Sequence, residues 1–252
     1  MNKQMRLDPF GNVANSGVAV TDMNKFLGSV LEKITLILGG TFTRSMITLI
    51  ELKANGKVIF QTTGANIESV NLYQGATTAA TVCKIDLMDR RAVTPNARQA
   101  GTIDLSAKSG ITSLRLEVTI SGATSPTLTG FCDVAPPTED PNEAGIRWLM
   151  TRKHRATVVI GAAGTFAIPV PHLDPAGGGS NFRRIVFYSA NMTGFKTVRE
   201  GVTEHELNSV AEINTVAQDN FKVPQASVVV FDPVQDGQLT GRTWDTRPAS
   251  GV

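Results

Sequence analysis

Ile50-Glu51-Leu52-Lys53-Ala54-Asn55-Gly56-Lys57-Val58-Ile59-Phe60 sets Asn-Gly between two runs that each carry apolar residues. Asn and Gly both tolerate the positive φ that a type I′ turn demands, so the stretch predicts a β-hairpin. Upstream, Ile34-Thr35-Leu36-Ile37-Leu38 and Met46 to Leu52 continue the period of two that marks strands. Downstream, a short helical candidate covers Asn66 to Tyr73. Val82 to Leu87 then puts Cys83, Ile85 and Leu87 on one face and Lys84 and Asp86 on the other. A strand-like segment surrounds Ile103. Leu114, Leu116, Val118 and Ile120 alternate with Ser113, Arg115, Glu117 and Thr119, as in a strand with one buried and one wet face. The strand-like segments of this half end near residue 125, and the first domain is set at 33–132.

Ahead of the hairpin, residues 1–20 are polar and without period, which reads as an extended arm that orders on assembly. Met23, Phe26, Leu27, Val30, Leu31 and Ile34 fall on one stripe of an α-helix, with Thr21 or Asp22 as its N-cap. Such a helix either faces a membrane or partner, or closes the base of a barrel; the second reading is preferred. Residues 1–32 are thus expected to form an arm and a helix.

Asp133-Val134-Ala135-Pro136-Pro137-Thr138-Glu139-Asp140-Pro141-Asn142-Glu143 is acidic and proline-rich, and a linker is set at 133–145, before a second domain at 146–252. The second half repeats the order of the first. Strands are expected at Thr157–Ile160, Thr165–Val170 and Arg184–Tyr188, with a Gly-rich loop before the last. A helix follows, opened by a Thr203/Glu206 capping box and a Val202/Leu207 staple, with Leu207, Val210 and Ala211 as its apolar stripe. Ser227 to Phe231 then runs into Asp232 as Val82 to Leu87 runs into Asp86 and Asp89, so the halves read as structural copies. The second copy looks short of a closing strand, which the arm, a neighbour or a further C-terminal stretch would supply.

Composition agrees with a β-rich chain. Its 252 residues are 41% hydrophobic, and 23 glycines and 12 prolines are scattered between short apolar runs, as many turns joining many strands require. Lys plus Arg number 24 against 22 Asp plus Glu, a net charge of +2, so no global field draws in nucleic acid and no direct nucleic-acid contact is expected. The two cysteines, Cys83 and Cys132, cannot build a disulfide framework and are expected to be free thiols. Met1 to Arg6 lacks the apolar stretch of a secretory signal, and no window holds eighteen consecutive apolar residues, so folding in the cytoplasm is expected. Without secretion the Asn191-Met192-Thr193 triplet has no glycosylation meaning.

Catalytic patterns fail one by one. His154, His172 and His205 lie on separate elements, and His205-Glu206-Leu207-Asn208-Ser209 lacks the second histidine of a zinc-protease helix. Gly178-Gly179-Ser180-Asn181-Phe182 lacks the glycine that follows the serine of a nucleophile elbow and reads as a hairpin tip. Neither Gly39-Gly40-Thr41 nor Gly177-Gly178-Gly179 leads into the Lys-Ser/Thr pair of a phosphate-binding loop, so these glycines read as turn residues. Asp86 with Asp89, and Asp232 with Asp236, could share a calcium ion or act as acid and base, but loop capping is preferred. Arg152, Lys153, His154 and Arg155 near Trp148 form a basic patch that could hold phosphate or lipid headgroups; pairing with Glu139, Asp140 and Glu143 is preferred. The expectation is no catalytic, cofactor-binding or metal-binding residues, no cofactor and no enzyme.

Two β units of similar order, each with an inserted helix and without a catalytic constellation, suit an all-β double jelly roll, two tandem β-barrels. Leu38-Gly39-Gly40-Thr41-Phe42-Thr43-Arg44-Ser45-Met46-Ile47, running into Ile50 to Ile59, resembles the N-terminal domain of major capsid proteins from corticovirus-type, tailless, membrane-containing bacteriophages. Phe231-Asp232 through Trp244-Asp245-Thr246-Arg247 resembles the matching C-terminal domain. The resemblance implies a homotrimer with a pseudo-hexagonal outline that tiles an icosahedral shell over an internal membrane. It implies contacts with neighbouring capsomers, a vertex protein and the membrane or its proteins, and it places the chain in the virion. A different class, a two-domain carbohydrate-binding or host-attachment β-sandwich, is weakened because only Trp148, Trp244, Tyr73 and Tyr188 supply the usual stacking rings. A hydrolase using Asp232 or His205 lacks any converging set of groups.

Overall fold

The computed structural model of the chain divides into two compact units, Met1–Lys153 and His154–Val252. Described are residues 3–88, 101–136, 153, 155–168, 181–199, 201–233 and 244–245.

The first unit has two antiparallel sheets. One runs β1 (Lys3–Arg6), β9 (Thr127–Ala135), β3 (Val30–Gly39), β6 (Val82–Asp86), with β7 (Ile103–Asp104) also on β3. The other runs β2 (Gly17–Asp22), β8 (Leu114–Ile120), β4 (Ile47–Ala54), β5 (Lys57–Thr62). The β4–β5 hairpin turns at Asn55 and Gly56, whose φ of 49° and 76° are the left-handed pair a type I′ turn uses. Asn55 also holds the next loop: its Oδ1 accepts from Thr112 N at 2.8 Å and Ser113 N at 3.1 Å, while its Nδ2 donates to Gly110 O at 2.8 Å. On β8 the four expected apolar positions are buried, and they meet Ile34, Leu36, Leu38, Ile50 and Leu52 in one core with Phe26 and Phe42. Burying each such side chain contributes about 1.5–3 kcal/mol, which is what holds the sheets face to face.

Three sequence readings of this unit are corrected. The helix expected over Met23 to Ile34 is a single 3-10 turn, Asn24–Phe26, followed by β3. Gly28, at φ 87°, ends the turn, and its N–H donates to Leu105 O at 2.7 Å. A bulge at Glu32 then brings both Leu31 and Val30 inside, which imitates helical spacing. The polar arm is two paired strands: β1 on β9 and β2 on β8. Leu7, buried behind β1, donates its N–H to Gly130 O at 2.9 Å, and Lys25 pairs with Asp8 at 2.6 Å. Backbone pairing needs no side-chain period, so the arm carried no signal. Finally, Asp133 to Ala135, read as linker, complete β9; the strand stops before Pro136, which has no N–H to give.

In the second unit β11 (Ile185–Tyr188) pairs with β14 (Val228–Phe231), β12 (Phe195–Arg199) with β13 (Val202–Leu207), and β10 (Asn181–Phe182) with β15 (Trp244–Asp245), all antiparallel. A strand therefore does follow Phe231. The helix expected to open at Thr203 opens later: Thr203 to Leu207 are spent pairing with β12, and α2 (Val210–Asp219) begins after Ser209. The Ser/Thr-x-x-Glu pattern occurs twice here, and the second copy, Ser209 with Glu212, caps the helix. Residues 157–160 and 165–168 are exposed and form no strand, against expectation. The Gly-rich loop at 177–179 lies outside the described residues. The first unit's helix, α1 (Gly64–Tyr73), agrees with the candidate at Asn66 to Tyr73.

Candidate functional site

The most specific construction in the chain is a helix–turn–strand module built twice. Thr63 caps α1 by accepting from Asn66 N at 3.1 Å, and Ser209 caps α2 by accepting from Glu212 N at 3.1 Å. Glu212 reaches back to Asn208 N at 2.8 Å, closing a variant capping box. Both helices end in a Schellman motif. In α1, Gly75 N donates to Leu72 O at 2.7 Å and Ala76 N to Asn71 O at 2.8 Å; in α2, Phe221 N donates to Gln218 O at 2.9 Å and Lys222 N to Ala217 O at 3.0 Å. An equal number of residues then leads to β6 and to β14. Each strand ends at an aspartate opposite a cation: Asp86 faces Lys33 in register, and Asp232 takes Arg184 Nε at 2.7 Å and Nη2 at 2.6 Å.

These charged groups tie strands together. Asp232 is fully enclosed, and its guanidinium partner is 14% exposed. Lys33 binds Asp133 across β3 and β9 at 2.6 Å, and Gln4 Nε2 donates to Asp133 Oδ1 at 3.2 Å, which ties in β1. On the second sheet Lys53 lies between Glu117 at 2.7 Å and Glu51 at 3.2 Å. The Glu117 carboxylate, helped by Glu51, holds the Lys53 ammonium above the ordinary lysine range against the opposing effect of burial. Sequence reasoning missed Arg44, which a polar Thr-Arg-Ser triplet disguises as loop. It is buried and bonds Glu68, Thr78 Oγ1, Val82 O at 2.9 Å and Thr78 O at 3.3 Å, fastening α1 to the start of β6.

The singled-out residues do not converge. His205 on β13 sets its ring edge-on to Phe231 at 5.3 Å. His154 and His172 lie outside the described residues, as do Asp89, Asp236, Trp148, Arg152 and the acidic run 139–143. Asp232, a candidate calcium ligand, is engaged by Arg184. Lys153 places its ammonium 5.4 Å from the Phe60 ring centre and bonds β5 through its backbone, while Arg155 is exposed. Gly40, at φ 71°, turns the chain where a Cβ would lie 2.3 Å from Ser125 O, so only glycine fits. Cys83 and Cys132 are free and buried, and burial pushes both thiols up to about 12. Among the described residues no group of three or more metal-binding side chains gathers, and no helix is long and apolar enough to cross a membrane.

Two family models match in succession: the viral coat protein P2 N-terminal domain over residues 4–135 and the viral coat protein P2 C-terminal domain over residues 150–251. The chain belongs to the viral coat protein P2 family. The resemblance carried by Leu38 to Ile59 is thereby borne out. Among solved structures, the major capsid protein P2 from bacteriophage PM2 superposes with a TM-score of 0.74 at 14% identity, over 97% of this chain and 90% of that one. A chain of Sulfolobus Turreted Icosahedral Virus gives 0.58 at 14% identity, over 93% and 80%. The PBCV-1 virus capsid gives 0.52 at 10% identity, over 98% and 81%. No curated protein matches by sequence. This P2-family chain therefore has the double jelly-roll fold of viral capsid proteins, as the alternating patterns of both halves anticipated.

Proposed function

We propose that the chain is the major capsid protein of an icosahedral phage, forming trimers whose six barrels give pseudo-hexameric capsomers that tile a shell over an internal membrane. The carrying observation is that both coat-protein domains match in order along one chain. The stretch between Pro136 and the second domain acts as the connection between barrels. Neighbouring capsomers, a vertex protein and the membrane or its proteins are the partners, without nucleic-acid contact, and the chain resides in the virion after assembly in the host cytoplasm. Its work is mechanical and no reaction is assigned to it, because tiling needs rigid barrels and many modest contacts that add through multivalency. Light scattering and electron microscopy of the purified chain test this. A particle with three times the chain mass, six-lobed in projection and convertible to shells, is expected; a monomer that binds glycans would support the host-attachment alternative.

A further inference from the structure

The residue after the Schellman C-cap must take a left-handed backbone, which glycine adopts freely and a bulky side chain does not. The first module places Gly75 there, at φ 71°; the second places Phe221, at φ 57°. Its ring is not recovered by the core: Phe221 is 84% exposed, and Val223 beside it is 47% exposed. A strained backbone that displays an aromatic group to solvent points to use outside the chain itself. At the other end of α2, whose ten residues extend about 15 Å, Met192, Val210, Asn214, Pro224, Ala226 and Val228 line a hollow of about 190 Å³. An apolar cavity of about 150 Å³ suffices for a benzene-sized ring. Phe221 of the same copy is not among its walls.

We infer that Phe221 of one copy seats in the α2 hollow of a second copy of this chain, a contact that rests on the coat-protein reading above. A knob and a hollow at different places on one surface make a heterologous contact, which closes into a ring when the rotation allows and otherwise propagates. A second copy is the fitting occupant because one chain carries both halves of the contact, and a coat protein is surrounded by copies of itself.

Two measurements on the full-length chain test it. Phe221→Gly restores the first module's solution, so the dissociated chain is expected to melt at an unchanged or higher temperature. Assembly is expected to need roughly tenfold more chain or beyond, the loss of one buried aromatic anchor. Assembly at the wild-type concentration overturns the contact. In particles mixed from isotopically light and heavy chains, Phe221→benzoylphenylalanine is expected to cross-link to Met192, Val210 or the 224–228 segment of another copy. Cross-links confined to its own chain, or elsewhere on the neighbour, overturn it. Wild-type chains that never oligomerise sink the coat reading itself, whereas wild-type particles that F221G forms equally well sink this contact alone.

Discussion

Set side by side, the helix and strand of the first unit and those of the second follow one backbone plan with different fastening. α1 buries Gly64, Ile67, Asn71 and Tyr73 and is held by the guanidinium of Arg44; α2 buries Ile213 and Ala217. The first helix begins with Gly64, where a Cβ would stand 2.1 Å from Arg44 O, and the second with Val210, which is 36% exposed. Conversely, the strand-end ion pair of the second unit is the more enclosed, with Asp232 at 0% against Asp133 at 11% beside Lys33. The repeated backbone thus fixes caps and lengths, while each copy is free to choose where its helix is pressed inward and where it is left on show.

The largest expected break in the comparison is Asp232→Ala. It leaves the Arg184 guanidinium uncompensated, and a loss of about 3–5 kcal/mol is expected in urea unfolding followed through the second unit. Next is Gly64→Ala, expected to destabilise the first unit by about 3 kcal/mol because the added Cβ meets backbone that cannot yield. Val210→Ala at the matching position should change stability by less than about 1 kcal/mol. Cys83 and Cys132 both lie in the first unit, so thiol labelling under native conditions reads this difference directly. Faster labelling is expected for Gly64→Ala alone.

Sharper than either is the pair Thr63→Ala and Ser209→Ala. Each removes one cap and is expected to cost about 1 kcal/mol by thermal melting, and a clear inequality would show that the two caps are not equivalent. Smallest is the alkaline response. Lys53 is raised above its ordinary 10.5, so its pairing contributes fully below that pH and is lost as pH climbs through the higher folded value. Stability of Lys53→Met should therefore converge on that of the wild type above that range, measured by denaturation from pH 9 upward.

Features governed by neighbouring residues were legible in the sequence. Asn55-Gly56 imposes its turn by local φ chemistry, and β8 declares its buried face by strict alternation. What failed depended on distant partners. β1 exists because β9 lies alongside it, more than a hundred residues on, and nothing in Lys3 to Arg6 records that. The Met23 to Ile34 stripe misled because a 3-10 turn, a left-handed Gly28 and a bulge at Glu32 happen to space apolar residues as a helix would. Thr203/Glu206 lost to Ser209/Glu212 because β12 claimed the backbone of the first. The Arg184–Asp232 pair joins residues 48 apart and had no local mark. Phe221 could have been found by aligning the two modules and asking which residue replaced Gly75.

Lys153 has one more implication. Its N–H and C=O bond Ile59 O at 3.1 Å and are bonded by Gln61 N at 2.9 Å, so the departing chain lies along the open border of β5 as a parallel bridge. A nascent polypeptide must therefore leave the ribosome past its midpoint before the first barrel can shield that border. Until then β5 offers bare amide groups to any other unfinished chain on the same messenger, so synthesis rate and chaperone cover matter most while residues just beyond the first barrel are emerging.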